Sequence, residues 1–95
     1  MKIFIFYYFL LNLILYIKGC KVHQNTDIVE NNLMFIKGQP TDCCGYCKSI
    51  EACKAYAWKD EEGGTCWLKS ATGPTVVNSG VIIGYPVLGR LFLFV

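Results

Sequence analysis

The chain has 95 residues, of which 54% are hydrophobic and 17% charged, and its formal net charge at pH 7 is +2. A chain of this length forms one domain at most, and so small a domain usually needs covalent cross-links beside its core. Two of the nine basic residues, Lys2 and Lys18, lie in an N-terminal apolar segment, and the other seven balance seven acidic residues. The sequence therefore offers no basic patch, and no nucleic-acid partner is expected.

The N-terminal segment predicts a secretory signal peptide over residues 1–19. Lys2 precedes an apolar run, Ile3–Ile17, that a single asparagine interrupts, and the small residue Gly19 follows. The run is shorter than the roughly 20 apolar residues of a membrane span. Cleavage before Cys20 would leave six cysteines, an even number that can pair completely. A retained signal-anchor and a lipoprotein-type cleavage at "IKGC" are the alternatives. After removal of the signal, no stable membrane span is expected.

Two short strands and a helix are expected next along the chain. The segments "TDIVE" and "LMFIKG" have the composition of strands. Pro40 is then followed by Thr41-Asp42, two residues that can cap free N–H groups, so a helix is predicted over Asp42–Ala52. Its spacing places Cys43 and Cys47 on one face with Ile50, whereas Cys44 points about 100° away.

A β-hairpin follows the helix. Its strands are predicted over Cys53–Lys59 and Thr65–Lys69, with the loop Asp60–Gly64 between them. In the first strand the alternation places two alanines on one side and Tyr56 and Trp58 on the other. The segment "SATGP" predicts a turn and "SGVIIG" a further strand. The fold class is therefore α+β, with one helix packed on a small antiparallel sheet.

The six cysteines allow three interpretations. A redox C-x-x-C at Cys44 and Cys47 would follow a buried parallel strand, but a turn precedes it here. A zinc site could use these two with Cys53 and Cys66, but this spacing and a secreted context favour disulfides. The cysteines are therefore interpreted as structural, and no metal or cofactor is expected. One of Cys43 and Cys47 can then reach Cys66 and the other Cys53, which leaves Cys44 for Cys20.

The cysteine pattern resembles that of a known family. Cys43-x3-Cys47-x5-Cys53, then "AYAW", "GGTCWLKS" and "SGVIIG", are similar to the PAN/apple domain over residues 20–84. The similarity is closest to the subtype of secreted oomycete proteins that includes cellulose-binding elicitor lectins. Two features depart from the pattern: no cysteine follows Cys66, and Glu30-Asn31-Asn32-Leu33 replaces a Gly-x-Asp-Leu element.

The resemblance implies a fold, a set of disulfides and a class of function. It implies a helix cradled by a curved antiparallel sheet, with disulfides Cys43–Cys66 and Cys47–Cys53, and we infer Cys20–Cys44 as the third. It also implies a secreted binding module, with carbohydrate as the first ligand class and an extracellular protein as the alternative. A sugar site needs an aromatic platform with amide or charged groups beside it, and the candidates are Tyr56, Trp58, Trp67, Asn32 and Lys69. Core packing is the alternative role for each aromatic ring.

Neither an active site nor an anchor is evident in the remaining sequence. There is no Ser/His/Asp set, no paired carboxylates in an apolar pocket and no nucleotide-binding loop, so an enzyme is not expected. The run Asp60-Glu61-Glu62 is interpreted as a solvated hairpin tip. The apolar tail, residues 85–95, could be a last edge strand, an interaction segment or the false end of a truncated gene model.

Overall fold

The computed structural model of the protein describes residues 16–90, with side chains described over residues 19–87. All strand pairs are antiparallel, and the order across the five-stranded sheet is β1-β5-β3-β4-β2. The predicted α+β class, one helix on an antiparallel sheet, is confirmed. In chain order the elements are β1 (Tyr16–Ile28), β2 (Asn32–Lys37), α1 (Pro40–Lys48), β3 (Ala55–Lys59), β4 (Thr65–Lys69) and β5 (Thr75–Arg90).

The helix α1 begins two residues earlier and ends four residues earlier than predicted. Pro40 lies in the first turn, where its missing N–H costs nothing, and the Asp42 carboxylate accepts a hydrogen bond from the Gln39 N–H at 2.8 Å. At the other end, the Ser49 hydroxyl donates to the Tyr46 carbonyl at 2.7 Å and satisfies one of the last free carbonyls of the helix. The predicted last turn is therefore wrong, because the chain leaves the helix at this point in a tight turn.

The predicted hairpin is confirmed, and its loop also fixes the approach to the helix. β3 and β4 pair along their whole length, and residues 60–64 connect them. Gly64 has a φ of +124° and its carbonyl accepts a hydrogen bond from the Gly38 N–H at 3.1 Å. A Cβ at Gly64 would lie 2.5 Å from the Gly38 carbonyl oxygen, so only glycine allows this close approach.

One face of the sheet, the helix face, carries the helix and the disulfides. The buried side chains here come from α1, from Cys53 in the α1–β3 connection, and from alternate positions of β3 and β4, which is the period of two that strands impose. They form one cluster: Cys43, Cys47, Cys53, Tyr56, Cys66 and Leu68. Disulfide bonds join Cys20 to Cys44, Cys43 to Cys66 and Cys47 to Cys53.

The opposite face, the outer face, has a second and smaller core. It consists of Ile28, Ala55, Ala57, Val81 and Ile83, with Trp67 and Tyr85 packed beside them. The pair β1–β5 bends over this face at a bulge, where Asn25 has a φ of +55° and Gly80 one of +85°. The Gly80 N–H donates to the Asn25 side-chain oxygen at 2.9 Å and holds the bend. The bend carries Ile28 onto the two small alanine side chains of β3.

The first and last strands of the chain run beyond the predicted domain boundaries. β1 begins at Tyr16, inside the predicted signal peptide, and β5 continues past Gly84 to Arg90; these two ends pair with each other. Residues 1–15 and 91–95 lie outside the described residues, so cleavage of a signal peptide stays a prediction. Among residues 16–90, no helix is long and apolar enough to cross a membrane.

Candidate functional site

The five candidate ligand residues are divided between the two faces of the sheet. Tyr56 and Trp58 lie on the helix face. Tyr56 is only 2% exposed, so its ring is part of the core and presents no platform to a ligand. Trp58 is half-buried against the same core, and its indole N–H donates to the Gly38 carbonyl at 2.9 Å. The interpretation of Tyr56 as a sugar platform is therefore corrected, since hairpin register turns it toward α1.

Asn32, Trp67 and Lys69 lie on the outer face, but Lys69 is not free to bind a ligand. Its side chain is 2% exposed and its ammonium donates to the Asn32 side-chain oxygen. Burial lowers the pKa of Lys69; the Asp27 carboxylate partly offsets this shift, and the Lys59 ammonium adds to it. The candidate role of Lys69 is therefore corrected to a buried structural one.

Trp67 belongs to a partly exposed aromatic pair at one edge of the outer face. Its ring centroid lies 5.1 Å from that of Phe35, which is 55% exposed on the edge strand β2. The Trp67 indole N–H donates to the Glu61 carboxylate at 2.9 Å, so the polar atom of the ring is already paired. This pair offers apolar ring surface, with no free hydrogen-bonding group on either ring.

A pocket with a mainly polar lining lies at the opposite side of the outer face. We call it the threonine pocket; it has a volume of about 510 Å³ and is lined by His23, Thr26, Thr72, Thr75, Ile83 and Tyr85. The rings of His23 and Tyr85 are stacked, with centroids 5.9 Å apart and 29° between their planes. The pocket therefore combines an aromatic wall with three threonine hydroxyls.

The threonine hydroxyls of the pocket differ in whether they already make a hydrogen bond within the protein. Thr26 donates its hydroxyl proton to the Gln24 carbonyl at 2.8 Å, so it is left as an acceptor. The Thr72 and Thr75 hydroxyls have no hydrogen-bond partner among the described residues. Since a hydroxyl can donate one hydrogen bond and accept two, each of these two hydroxyls can donate a hydrogen bond to a ligand or accept one from it.

A single asparagine holds the loop that supplies Thr72. Asn31, in the β1–β2 connection, has a φ of +68°, which asparagine tolerates better than most residues. Its carbonyl accepts a hydrogen bond from the Ser70 N–H at 2.8 Å, and its side-chain amide donates to the Gly73 carbonyl at 3.2 Å. The 70–74 loop is therefore held beside β1, which places Thr72 at the pocket.

The register of the sheet sets the distance between the pocket and the aromatic pair. One row of paired residues crosses all five strands, and its middle member, Ala57, is fully buried under the bent β1–β5 pair. Four strand intervals of about 4.8 Å place its two ends roughly 19 Å apart. The row runs through His23, Ile83, Ala57, Trp67 and Phe35. The two exposed ends are therefore separate surfaces.

The sequence did not single out the pocket residues. They come from β1, β5 and the 70–74 loop, and Tyr85 lies just outside the predicted domain boundary at Gly84. The one local signal was the polar run at residues 23–26, which the sequence could not connect to residues 72–85.

The six cysteines provide structure and no reactive thiol. None of the described cysteines is free, and Cys44 and Cys47 are bonded to different partners. Within residues 16–90, no group of three or more His, Cys, Asp or Glu side chains could hold a metal ion.

The fold and its disulfides define a small, covalently stapled α+β domain of a kind typical of extracellular proteins. Residues 23–69 match the family model of the PAN domain. PAN domains are generally non-catalytic binding modules for proteins or carbohydrates. No curated protein and no solved structure matches the chain.

Proposed function

We propose that the protein is a secreted, non-catalytic module that binds carbohydrate in the threonine pocket. The observation that carries the proposal is the combination of stacked His23 and Tyr85 rings with the unpaired hydroxyls of Thr72 and Thr75. A sugar ring presents C–H faces that pack on aromatic rings and hydroxyls that exchange hydrogen bonds with threonine. The resemblance to secreted oomycete PAN domains, which include cellulose-binding lectins, also favours this ligand class.

The lining of the pocket favours a neutral ligand. No Lys, Arg, Asp or Glu lines it, and its polar groups are hydroxyls and one imidazole. Its volume of about 510 Å³ lies within the range of small-molecule sites, in which a few placed polar groups fix the orientation of the ligand. Each hydrogen bond contributes only about 0.5–1.5 kcal/mol, so we expect weak binding to one site and stronger retention on a repetitive polymer.

The first test is retention on insoluble polysaccharides. The oxidised protein is incubated with cellulose, chitin and other wall polysaccharides, and a reduced and alkylated sample serves as the control for fold dependence. We expect the oxidised form alone to be retained on at least one polymer. If no polymer retains it, the carbohydrate proposal is wrong.

A set of variants then tests the location of the site. Thr72→Val and Thr75→Val remove one hydroxyl each at nearly constant shape, and each should weaken binding roughly two- to tenfold. Tyr85→Leu should weaken it further because the ring wall is lost. Ser79→Ala removes an exposed hydroxyl outside the pocket and should have no effect. If Phe35→Leu abolishes binding while the pocket variants retain it, sugar binding belongs to the Phe35–Trp67 pair.

A protein partner is the second candidate, and the edge strand β2 favours it. The side of β2 away from β4 is unpaired in the described sheet, and three consecutive residues on it are exposed: Leu33, Met34 and Phe35 at 40%, 43% and 55%. An edge with free backbone groups and apolar side chains is suited to pairing with an extended segment of another protein. For this candidate Phe35→Lys should abolish capture of the partner, and the threonine-pocket variants should leave it unchanged.

A further inference from the structure

A second cavity, on the helix face, has a different chemical character from the threonine pocket. It lies between β1 and the start of α1 and has a volume of about 420 Å³. We call it the helix-face groove; its lining is Gly19, Cys20, Val22, Gln24, Pro40, Thr41, Cys44, Tyr56 and Ile82. Most of this surface is apolar, and the Cys20–Cys44 disulfide forms one wall.

The floor of the groove contains a polar group that the fold leaves unused. Tyr56 is 98% removed from solvent, yet its hydroxyl has no hydrogen-bond partner among the described residues. The Tyr56 hydroxyl end packs against Gly84, which has no side chain to cover it. Asp27 Oδ1 is the only side-chain N or O atom of the described residues that is both fully buried and without a partner. The Tyr56 oxygen is therefore not sealed in the core, and it reaches solvent through the groove.

The Tyr56 hydroxyl, which has no hydrogen-bond partner in the described part of the protein, favours a ligand that supplies a hydrogen-bond acceptor. Leaving a donor unsatisfied in an apolar site is unfavourable, and solvent in so apolar a groove offers it few ordered partners. A tyrosine phenol is protonated at neutral pH, and burial raises the pKa of Tyr56 further, so its hydroxyl can donate a hydrogen bond. The complementary ligand atom is therefore a hydrogen-bond acceptor such as a carbonyl or ether oxygen.

The charges around the groove select a neutral ligand over an anion. No Lys, Arg or His lines it, so nothing would pair with a carboxylate or phosphate. The positive end of the α1 dipole is near Thr41, but the Asp42 carboxylate already lies in that first turn and accepts the Gln39 N–H. A second negative charge there would be repelled.

We propose that the helix-face groove binds a neutral, mainly apolar small molecule that carries one hydrogen-bond acceptor. The apolar body of the ligand packs on Val22, Ile82 and the Cys20–Cys44 disulfide, and its acceptor takes the hydrogen bond of the Tyr56 hydroxyl. This site is independent of carbohydrate binding, because the sheet separates it from the threonine pocket.

The experiment uses the solvatochromic probe 6-propionyl-2-(dimethylamino)naphthalene, which is neutral and carries one carbonyl acceptor. The oxidised protein, with Gly19 retained, is titrated with it, and we expect a blue-shifted emission that saturates. Tyr56→Phe removes only the hydroxyl and should weaken binding roughly two- to tenfold. The carbonyl-free analogue 2-(dimethylamino)naphthalene should bind to the wild type and to Tyr56→Phe with equal affinity.

A matched pair of surface variants locates the bound probe. Val22→Asn places an amide in the groove and should reduce affinity, whereas Val77→Asn changes a valine that is 91% exposed elsewhere and should not. Circular dichroism verifies that every variant is folded. The proposal is overturned if the wild type does not bind the ketone, or if Tyr56→Phe and Val22→Asn both bind it as tightly as the wild type.

Discussion

The packing of Tyr56 against Gly84 predicts that adding a single methyl group at position 84 lowers the stability of the domain. A Cβ at Gly84 would lie 2.6 Å from Tyr56 Cε2 and closer still to its Cζ and Oη. Overpacking of this kind costs about 1–3 kcal/mol. Replacing a strand glycine by alanine returns about 0.5–1 kcal/mol of backbone entropy. We therefore expect Gly84→Ala to lower the free energy of unfolding by about 1–2 kcal/mol.

The assay is denaturant and thermal unfolding of the oxidised protein, followed by circular dichroism. For a domain of this size, 1–2 kcal/mol corresponds to a fall in Tm of roughly 4–16 °C. Gly45→Ala is the matched control, because a Cβ there has no atom within 4 Å and Gly45 lies inside α1. This control should raise the stability by about 0.5–1 kcal/mol through helix propensity alone.

The contact between position 84 and the Tyr56 ring is tested most directly by making Gly84→Ala in a variant that lacks the ring. Tyr56→Leu removes the ring that the new methyl group would strike, at its own cost in core packing. Gly84→Ala should then lose most of its destabilising effect in this background, as expected for two residues in contact. An equal loss in both backgrounds would mean that the ring contact is not the cause. A loss from Gly45→Ala as large as that from Gly84→Ala would also contradict the argument.

Two further predictions concern the cross-links and the buried lysine. Replacing the Cys43–Cys66 pair by alanines should cost about 3.4 kcal/mol and the Cys47–Cys53 pair about 2.2 kcal/mol, because the first bond spans a sequence separation of 23 residues and the second one of 6. Denaturant midpoints that reverse this order would refute the dependence on loop length. The lowered pKa of Lys69 means that the unfolded state holds this proton more tightly, so stability should rise as the pH increases from the folded pKa toward about 10.5. Lys69→Met should remove that rise. If the stability of this variant increases with pH as steeply as that of the wild type, the rise is due to other groups.

Local patterns in the sequence were sufficient for the central part of the fold. The turn residues between β3 and β4 and the strict alternation in "AYAW" predicted the hairpin and the opposite orientation of its alanines and aromatic residues. The start of α1 followed from Pro40 and Asp42 to within two residues. Its end was missed because the Ser49 hydroxyl ends the helix through a contact that the apolar spacing of Cys43, Cys47 and Ile50 does not reveal.

The pairing of β1 with β5 could not be predicted, because it joins residues about 60 positions apart. The segment "KVHQN" has no apolar alternation, and its extended conformation depends on a partner strand far along the chain. The threonine pocket is made at this pairing, so its residues were missed together. The burial of Tyr56 was missed for a related reason: alternation determines which residues share a face, but not which face α1 covers.

The two faces of the sheet are suited to different ligands because their covering elements differ. On the helix face, α1 and three disulfides cover the aromatic residues and leave a mainly apolar groove with the Tyr56 hydroxyl at its floor. On the outer face, only the bent β1–β5 pair covers the centre, and polar side chains line the pocket beside it. The disulfides supplement two small cores as a source of rigidity. Carbohydrate binding by the threonine pocket and binding of a neutral ligand in the helix-face groove can therefore be separated by single substitutions, Thr72→Val for the first and Tyr56→Phe for the second.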